Sequence, residues 1–283
     1  MTYLKHGAVV FLIALCGCMP PRNATTPDTT TQGDPKNAPN YGYTPIDPLP
    51  INFKFLDDST TSTGSTVHTS IDLLNALPDE TVRLAIGQFD AQGSVAFGPA
   101  SLGVSGGSYV VVLDYIKFTT LPQPITTMSN STGEKNYRRA SQSTTSETSV
   151  PVYVGVGLRL TANVTVKRGS VNLGNLIALG IAAQSNKITG TLVVQTLGIS
   201  GEGISANIPM PSDINQTSIQ NAIQALGTIK ANIYSGKTII NPRVVGIYNN
   251  LGGGAQTVNR FISQVLDKPI PVTIRHRLLI SER

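Results

Sequence analysis

The strictest pattern in the chain lies between Val152 and Val166 (VYVGVGLRLTANVTV). Every second residue is apolar, from Val152, Val154 and Val156 through Leu158, Leu160 and Ala162 to Val164 and Val166. The residues between them are Tyr153, Gly155, Gly157, Arg159, Thr161, Asn163 and Thr165. Side chains on a strand point alternately to its two faces, so period 2 predicts a long strand with one apolar and one polar or small face. Ile188–Leu197 (ITGTLVVQTL) predicts a second strand beside it. Ser108–Phe118 (SYVVVLDYIKF) is rich in β-branched and aromatic residues on both parities, which predicts a central strand covered on both sides. Thr81–Ile86 reads as a further short strand, Ile71–Leu77 as an apolar turn, and Val171–Ala183 as a short helix or buried crossover.

The pattern changes toward the C-terminus. Ile219, Ala222, Ile223 and Leu226 recur at helical spacing within Thr217–Gly227, with Asn215 or Thr217 as cap and Gly227 as stop. Val258, Phe261, Ile262 and Val265 do the same within Ala255–Leu266. Ile229–Tyr234, Lys237–Tyr248 and Pro271–Ile280 read as strands, and Pro242 makes the second an edge, a bulge or two pieces. The fold class expected is α+β, a mainly antiparallel sheet with one long amphipathic strand pair and two amphipathic helices in the C-terminal third.

Two stretches interrupt the periodic sequence. Residues 18–50 are rich in Pro, Thr and Asn with few aliphatics, and read as a disordered tether. Residues 119–149 are rich in Ser and Thr, with Pro122 and Pro124 near the start. They read as a polar, mobile insertion in a single domain spanning 51–283, or as a contact loop for an anionic surface through Lys135, Arg138 and Arg139.

Residues 1–17 carry a basic residue, Lys5, near the start and continue through an apolar core, Ala8–Leu15, that is shorter than the about 20 residues needed to span a bilayer. This is the pattern of an export signal. Its end, Leu15-Cys16-Gly17-Cys18, resembles the lipobox of bacterial lipoproteins. The resemblance implies cleavage before Cys18, diacylation of its thiol, a fatty acid such as palmitate on the new amino terminus, and attachment to a membrane. An ordinary cleaved signal or an uncleaved anchor are the other readings of the same segment. With Cys16 lost in the leader, Cys18 is the one cysteine left of the chain's two, so a disulfide within one mature molecule is excluded. Residue 19 is Met rather than Asp, which by enteric-type sorting implies the outer membrane of a cell envelope, on its periplasmic or surface face.

Composition narrows the chemistry. The 283 residues carry a formal charge of +5, which becomes +4 when Lys5 leaves with the leader. That balance fits a mixed surface, and no basic run with interleaved aromatics points to nucleic acid. His68 and His276 stand far apart without neighbouring acids, and neither they nor the cysteines show a metal-ligand spacing. Asp57 and Asp58 are adjacent, which turns their side chains apart on a strand. Asp114 lies among apolar residues and needs a partner if buried. The glycine-rich pieces at 103–107, 198–203 and 252–254 read as turns, the last a weak phosphate cradle.

These features lead to no catalytic residues, no cofactor and no metal, and hence to a non-enzymatic protein. The expected function is that of a lipid-anchored envelope protein acting by contact on a protein partner or a second copy, as an accessory or assembly factor. An alternative is a pore subunit that inserts 152–166 and 188–197 as a hairpin into an oligomeric β-barrel, with Arg159 facing the lumen. In architecture alone that looks like the curli-secretion lipoproteins.

Overall fold

The computed structural model describes residues 42–56, 70–98, 104–140, 148–252 and 254–275. All of them fall in the compact unit Gln32–Arg283. The first part of the chain forms β1 (Tyr43–Leu49), β2 (Ile51–Leu56), α1 (Ser70–Asn75), β3 (Asp79–Phe89) and β4 (Val95–Gly98). Two long strands follow, β5 (Val104–Ser129) and β7 (Thr148–Val171), with β6 (Lys135–Arg139) between them. Next come α2 (Leu176–Gln184), β8 (Ile188–Leu197), β9 (Ile199–Ser200) and α3 (Glu202–Ser205). The last part holds β10 (Ser212–Asp213), α4 (Gln216–Asn232), β11 (Ile239–Ile240), β12 (Arg243–Tyr248), α5 (Ala255–Val265) and β13 (Ile270–Arg275). The class is α+β, and the main sheet is antiparallel throughout.

The sheet is built on the β5–β7 ribbon, which pairs from Val104 opposite Val171 to Ile125 opposite Thr148. β7 carries β12 beside its first part and β8 beside its second. β5 carries β3 beside its middle and β6 beside its end. β1 continues the sheet beyond β12, and β4 beyond β3. A separate parallel pair joins β2 to β13, Ile51 opposite Ile270.

The period-2 residues of β7 form the centre of the core. Val150, Val152, Val154, Val156 and Leu158 are fully buried. On the same face of β8, Leu192 and Val194 meet α2 and α4, which cover that side. β1 and α5 cover part of the opposite face.

Three expectations are corrected by the fold. First, 43–49 is strand rather than tether. Its residues Thr44, Pro45 and Ile46 are buried. Second, 119–149 is not a structureless insertion: β5 runs on to Ser129, β6 returns, and β7 begins at Thr148. Residues 141–147 lie outside the described ones. The prolines are tolerated for a specific reason. Pro122 faces Pro151 across the ribbon, and two facing prolines suit only a non-hydrogen-bonded pair, whose N–H positions point outward. On those outer edges the neighbours β3, β6 and β12 do not pair with these residues, so no ladder bond is lost.

Third, 229–234 is not a strand, because α4 passes through Gly227 to Asn232. Ile229 and Ile233 continue the buried stripe of Ile219 and Ala222 at 0% and 1% exposure. Burying each is worth about 1.5–3 kcal/mol, against about 1 kcal/mol for a glycine inside a helix. The N-terminus of α4 is fixed by a capping box. The Asn215 side chain accepts from Ser218 N at 2.8 Å, and Ser218 Oγ accepts from Asn215 N at 2.9 Å.

Candidate functional site

Asp114 and Arg159 stand directly opposite each other on β5 and β7. They are 0% and 4% exposed. Arg159 donates from Nε to Asp114 Oδ1 and from Nη2 to Asp114 Oδ2, both at 2.7 Å. Its Nη1 donates to Ile46 O at 2.7 Å and Nη2 also to Val245 O at 2.8 Å. The Tyr43 hydroxyl donates to Asp114 Oδ2. One guanidinium thus ties together β5, β7, β1 and β12. The row continues outward to Arg83 on β3 and Gln195 on β8, opposite Asp114 and Arg159 respectively. The Arg83 guanidinium lies 5.2 Å from the Tyr153 ring centre and 5.7 Å from that of Phe118.

Burial, helped by the Asp114 charge, pushes the Tyr43 hydroxyl well above the ordinary phenol range. Burial lowers the Arg159 pKa, but the bonds to Asp114 outweigh it and the net shift is upward. Tyr115, which donates to Glu80 Oε1 at 2.8 Å, is also raised by burial and by that bond. A phenol whose folded pKa is raised keeps its proton when the unfolded chain has lost it. Its contribution is therefore complete below the unfolded value of 10.0 and declines as pH rises toward the folded one. Urea unfolding above pH about 10 should show stability falling by about 1.4 kcal/mol per pH unit for each such phenol. Tyr43→Phe should remove one such contribution from the slope, and an unchanged slope would contradict the assignment.

In this cluster both Asp114 oxygens are engaged, Oδ1 by Arg159 and Oδ2 by Arg159 and Tyr43. Beside it the same sheet face opens into a cleft of about 650 Å³. Thr161 and Asn163 follow Arg159 along β7 at two-residue steps, with Val112 and Val110 opposite them on β5 and Val193 and Thr191 opposite on β8. β1 and α5 form the walls, the latter through Val258, Asn259 and Ile262.

The structure separates the four residues expected on a contact or pore face. Arg159 is 4% exposed, touching the adjoining cleft only at its edge, and its guanidinium is held by Asp114. The apolar face of 152–166 is interior. Arg139 caps the end of α5, donating from Nε to Val265 O at 2.8 Å and from Nη2 to Lys268 O. Lys135 and Arg138 are exposed on β6. The strand is docked on α5 by Gln264, which accepts from Tyr137 N at 2.7 Å, and by the Arg260–Glu134 pair at 2.6 Å.

Cys18, Asp57, Asp58, His68 and His276 lie outside the described residues. Among the described residues no group of three or more acids, histidines or cysteines gathers at one place. Gly106 and Gly107 take positive φ at the irregular step of the β5–β7 ladder, and Gly198 and Gly201 take it around β9. Tyr43, Thr161, Asn163 and Gln195 were not singled out from sequence. Two charges of opposite sign set within apolar strands, Asp114 and Arg159, were the available signal for the pair.

Comparison of the chain with protein-family models, with curated proteins and with solved structures yields no match in any of the three.

Proposed function

We propose that this chain is a bacterial envelope lipoprotein, held at the outer membrane through Cys18, that acts by contact as an accessory or assembly factor rather than as an enzyme. The observation that carries this reading is the segment Leu15-Cys16-Gly17-Cys18 behind an apolar leader with a basic start. One acyl chain holds a protein only marginally and two or more hold it stably, so the lipidated Cys18 is a complete anchor. The first strand begins at Tyr43, which leaves residues 19–42 between the anchor and it. Exposed Lys135 and Arg138, with Met128 at 47% exposure, give β5–β6 a surface for a partner. The reading takes the helices α4 and α5 as amphipathic, with their polar sides outward, and β7 as polar outward only from Asn163 on, since Tyr153 and Arg159 on that face are buried. No observation favours a pore subunit over this contact role.

The test is metabolic labelling with radioactive palmitate followed by fractionation. Label is expected on the wild-type protein in the outer-membrane fraction. Cys18→Ser is expected to carry no label and to leave the membrane. Label persisting on Cys18→Ser, or an unlabelled wild-type chain, would end the reading. For the contact role, a photo-crosslinking amino acid at Lys135 or Arg138 is expected to give one discrete adduct in cells, and only unlinked protein would count against it.

A further inference from the structure

We infer that the cleft between β1, α5 and the main sheet is a binding site for a neutral amphiphile, a small molecule with an aliphatic chain and an uncharged hydrogen-bonding head. Its size, about 650 Å³, lies within the range of small-molecule sites, roughly 300–1,000 Å³.

The floor specifies the head. Thr161 and Asn163 on β7 and Gln195 on β8 line the cleft on one face of the sheet. Their hydroxyl and amide groups make no hydrogen bond to any described residue. Side-chain amides offer both donors and acceptors, which matches hydroxyl, ester or amide groups. The walls specify the chain. Ala85, Val110 and Val112 form a small buried apolar cluster apart from the main core, with Tyr43, Phe89, Val95 and Phe97 packed against it. Val193 and Ile262 extend that aliphatic surface across the cleft. The chain has no tryptophan and, among the described residues, no tyrosine lines the cleft, so no flat polar-edged ring is offered there for stacking on a sugar.

Charge decides between a neutral head and an acid. Among the described residues Arg159 is the one cation of the lining, and Asp114 neutralises it through two hydrogen bonds of 2.7 Å. Asp47, exposed at the rim, repels an anion. A fatty acid would therefore lose its hydration without gaining a counter-charge, whereas a glyceryl or amide head keeps its hydrogen bonds on the Thr161–Asn163–Gln195 floor.

The experiment uses the full chain with Cys18→Ser, so that no detergent competes. The uncharged dye 1-N-phenylnaphthylamine is the reporter, and 1-monodecanoylglycerol and decanoate are the competitors, all below micelle-forming concentrations. Saturable dye fluorescence is expected, with displacement by the monoacylglycerol and about tenfold or weaker displacement by decanoate. Gln195→Leu and Asn163→Leu should each weaken the monoacylglycerol about three- to tenfold, the worth of one hydrogen bond. Val193→Phe, which fills the cleft, should abolish dye binding. Circular dichroism identifies any variant that fails to fold, and the remaining variants still read the site. Absence of saturable binding, decanoate binding as tightly as the ester, or full affinity in folded Val193→Phe would each overturn the inference. Since binding is read on purified protein, its failure leaves membrane anchoring untouched, and the converse holds.

Discussion

Arg159→Met is expected to lower the unfolding free energy by about 3–5 kcal/mol, the range for removing one partner of a buried ion pair. Methionine fills the space of the arginine stem, so the loss reports on charge rather than on a cavity. What remains is the Asp114 carboxylate at 0% exposure with the Tyr43 hydroxyl as its donor, and the Ile46 and Val245 carbonyls without Arg159. Removing the carboxylate as well, in Arg159→Met with Asp114→Leu, should recover part of the loss, because an uncompensated charge costs more than an apolar replacement of both partners. Urea titrations of the two single variants and the double give the coupling directly. An Arg159→Met protein within 1 kcal/mol of wild type, a threshold near the median for exposed pairs, would mean that the pair is solvated in solution.

Gly157→Ala is expected to cost about 3 kcal/mol, at the upper end of overpacking penalties. A Cβ on Gly157 would stand 1.9 Å from Tyr115 O and 2.9 Å from Ile116 Cα, and one on Gly155 would stand 2.3 Å from Lys117 O. These neighbours are backbone atoms of β5 and cannot rotate away. The ribbon would have to separate where it holds Phe118 and Tyr153 in edge contact at 5.3 Å. Gly227→Ala is the contrasting case. It lies inside α4 with nothing within 4 Å of the added carbon, and should raise stability by about 1 kcal/mol. Thermal melts of the two variants should move in opposite directions, and a Gly157→Ala melt unchanged from wild type would show that the strands have room to spare.

The long strands were legible where side-chain parity was strict. Val152–Val166 and Ile188–Leu197 fall inside β7 and on β8, and Ala255–Leu266 contains α5. The extent of the ribbon was not legible, because Pro122, Pro124 and the Ser/Thr-rich stretch after them look like loop until their ladder partners are known. A local signal did exist. Asn130 accepts bonds from Thr132 N at 3.1 Å and Glu134 N at 2.7 Å, with Gly133 at φ 79. Asp90 accepts in the same way from Gln92 N at 2.9 Å and Ser94 N at 2.7 Å, with Gly93 at φ 78. An Asn or Asp followed three residues later by Gly, with strands on either side, marks a hairpin turn in both places. For the site, Asp114 and Arg159 stood out as charges among apolar strand residues, but their pairing depended on register across 45 residues. Tyr43 was hidden by its neighbourhood, since proline- and threonine-rich sequence disguised a strand whose order comes from β12.

The parallel pair of β2 with β13 sets a condition on how the molecule can be completed. Ile51 finds its partner Ile270 only after nearly all of the intervening chain has been delivered. Contacts of such sequence separation raise contact order and slow folding, because the loop must close before the pairing rewards it. A polypeptide emerging N-terminus first would thus hold β2 single-stranded until the last segment arrives, and a chain stalled or clipped short of Ile270 would keep an open backbone edge for whatever strand-seeking helper or neighbour it meets.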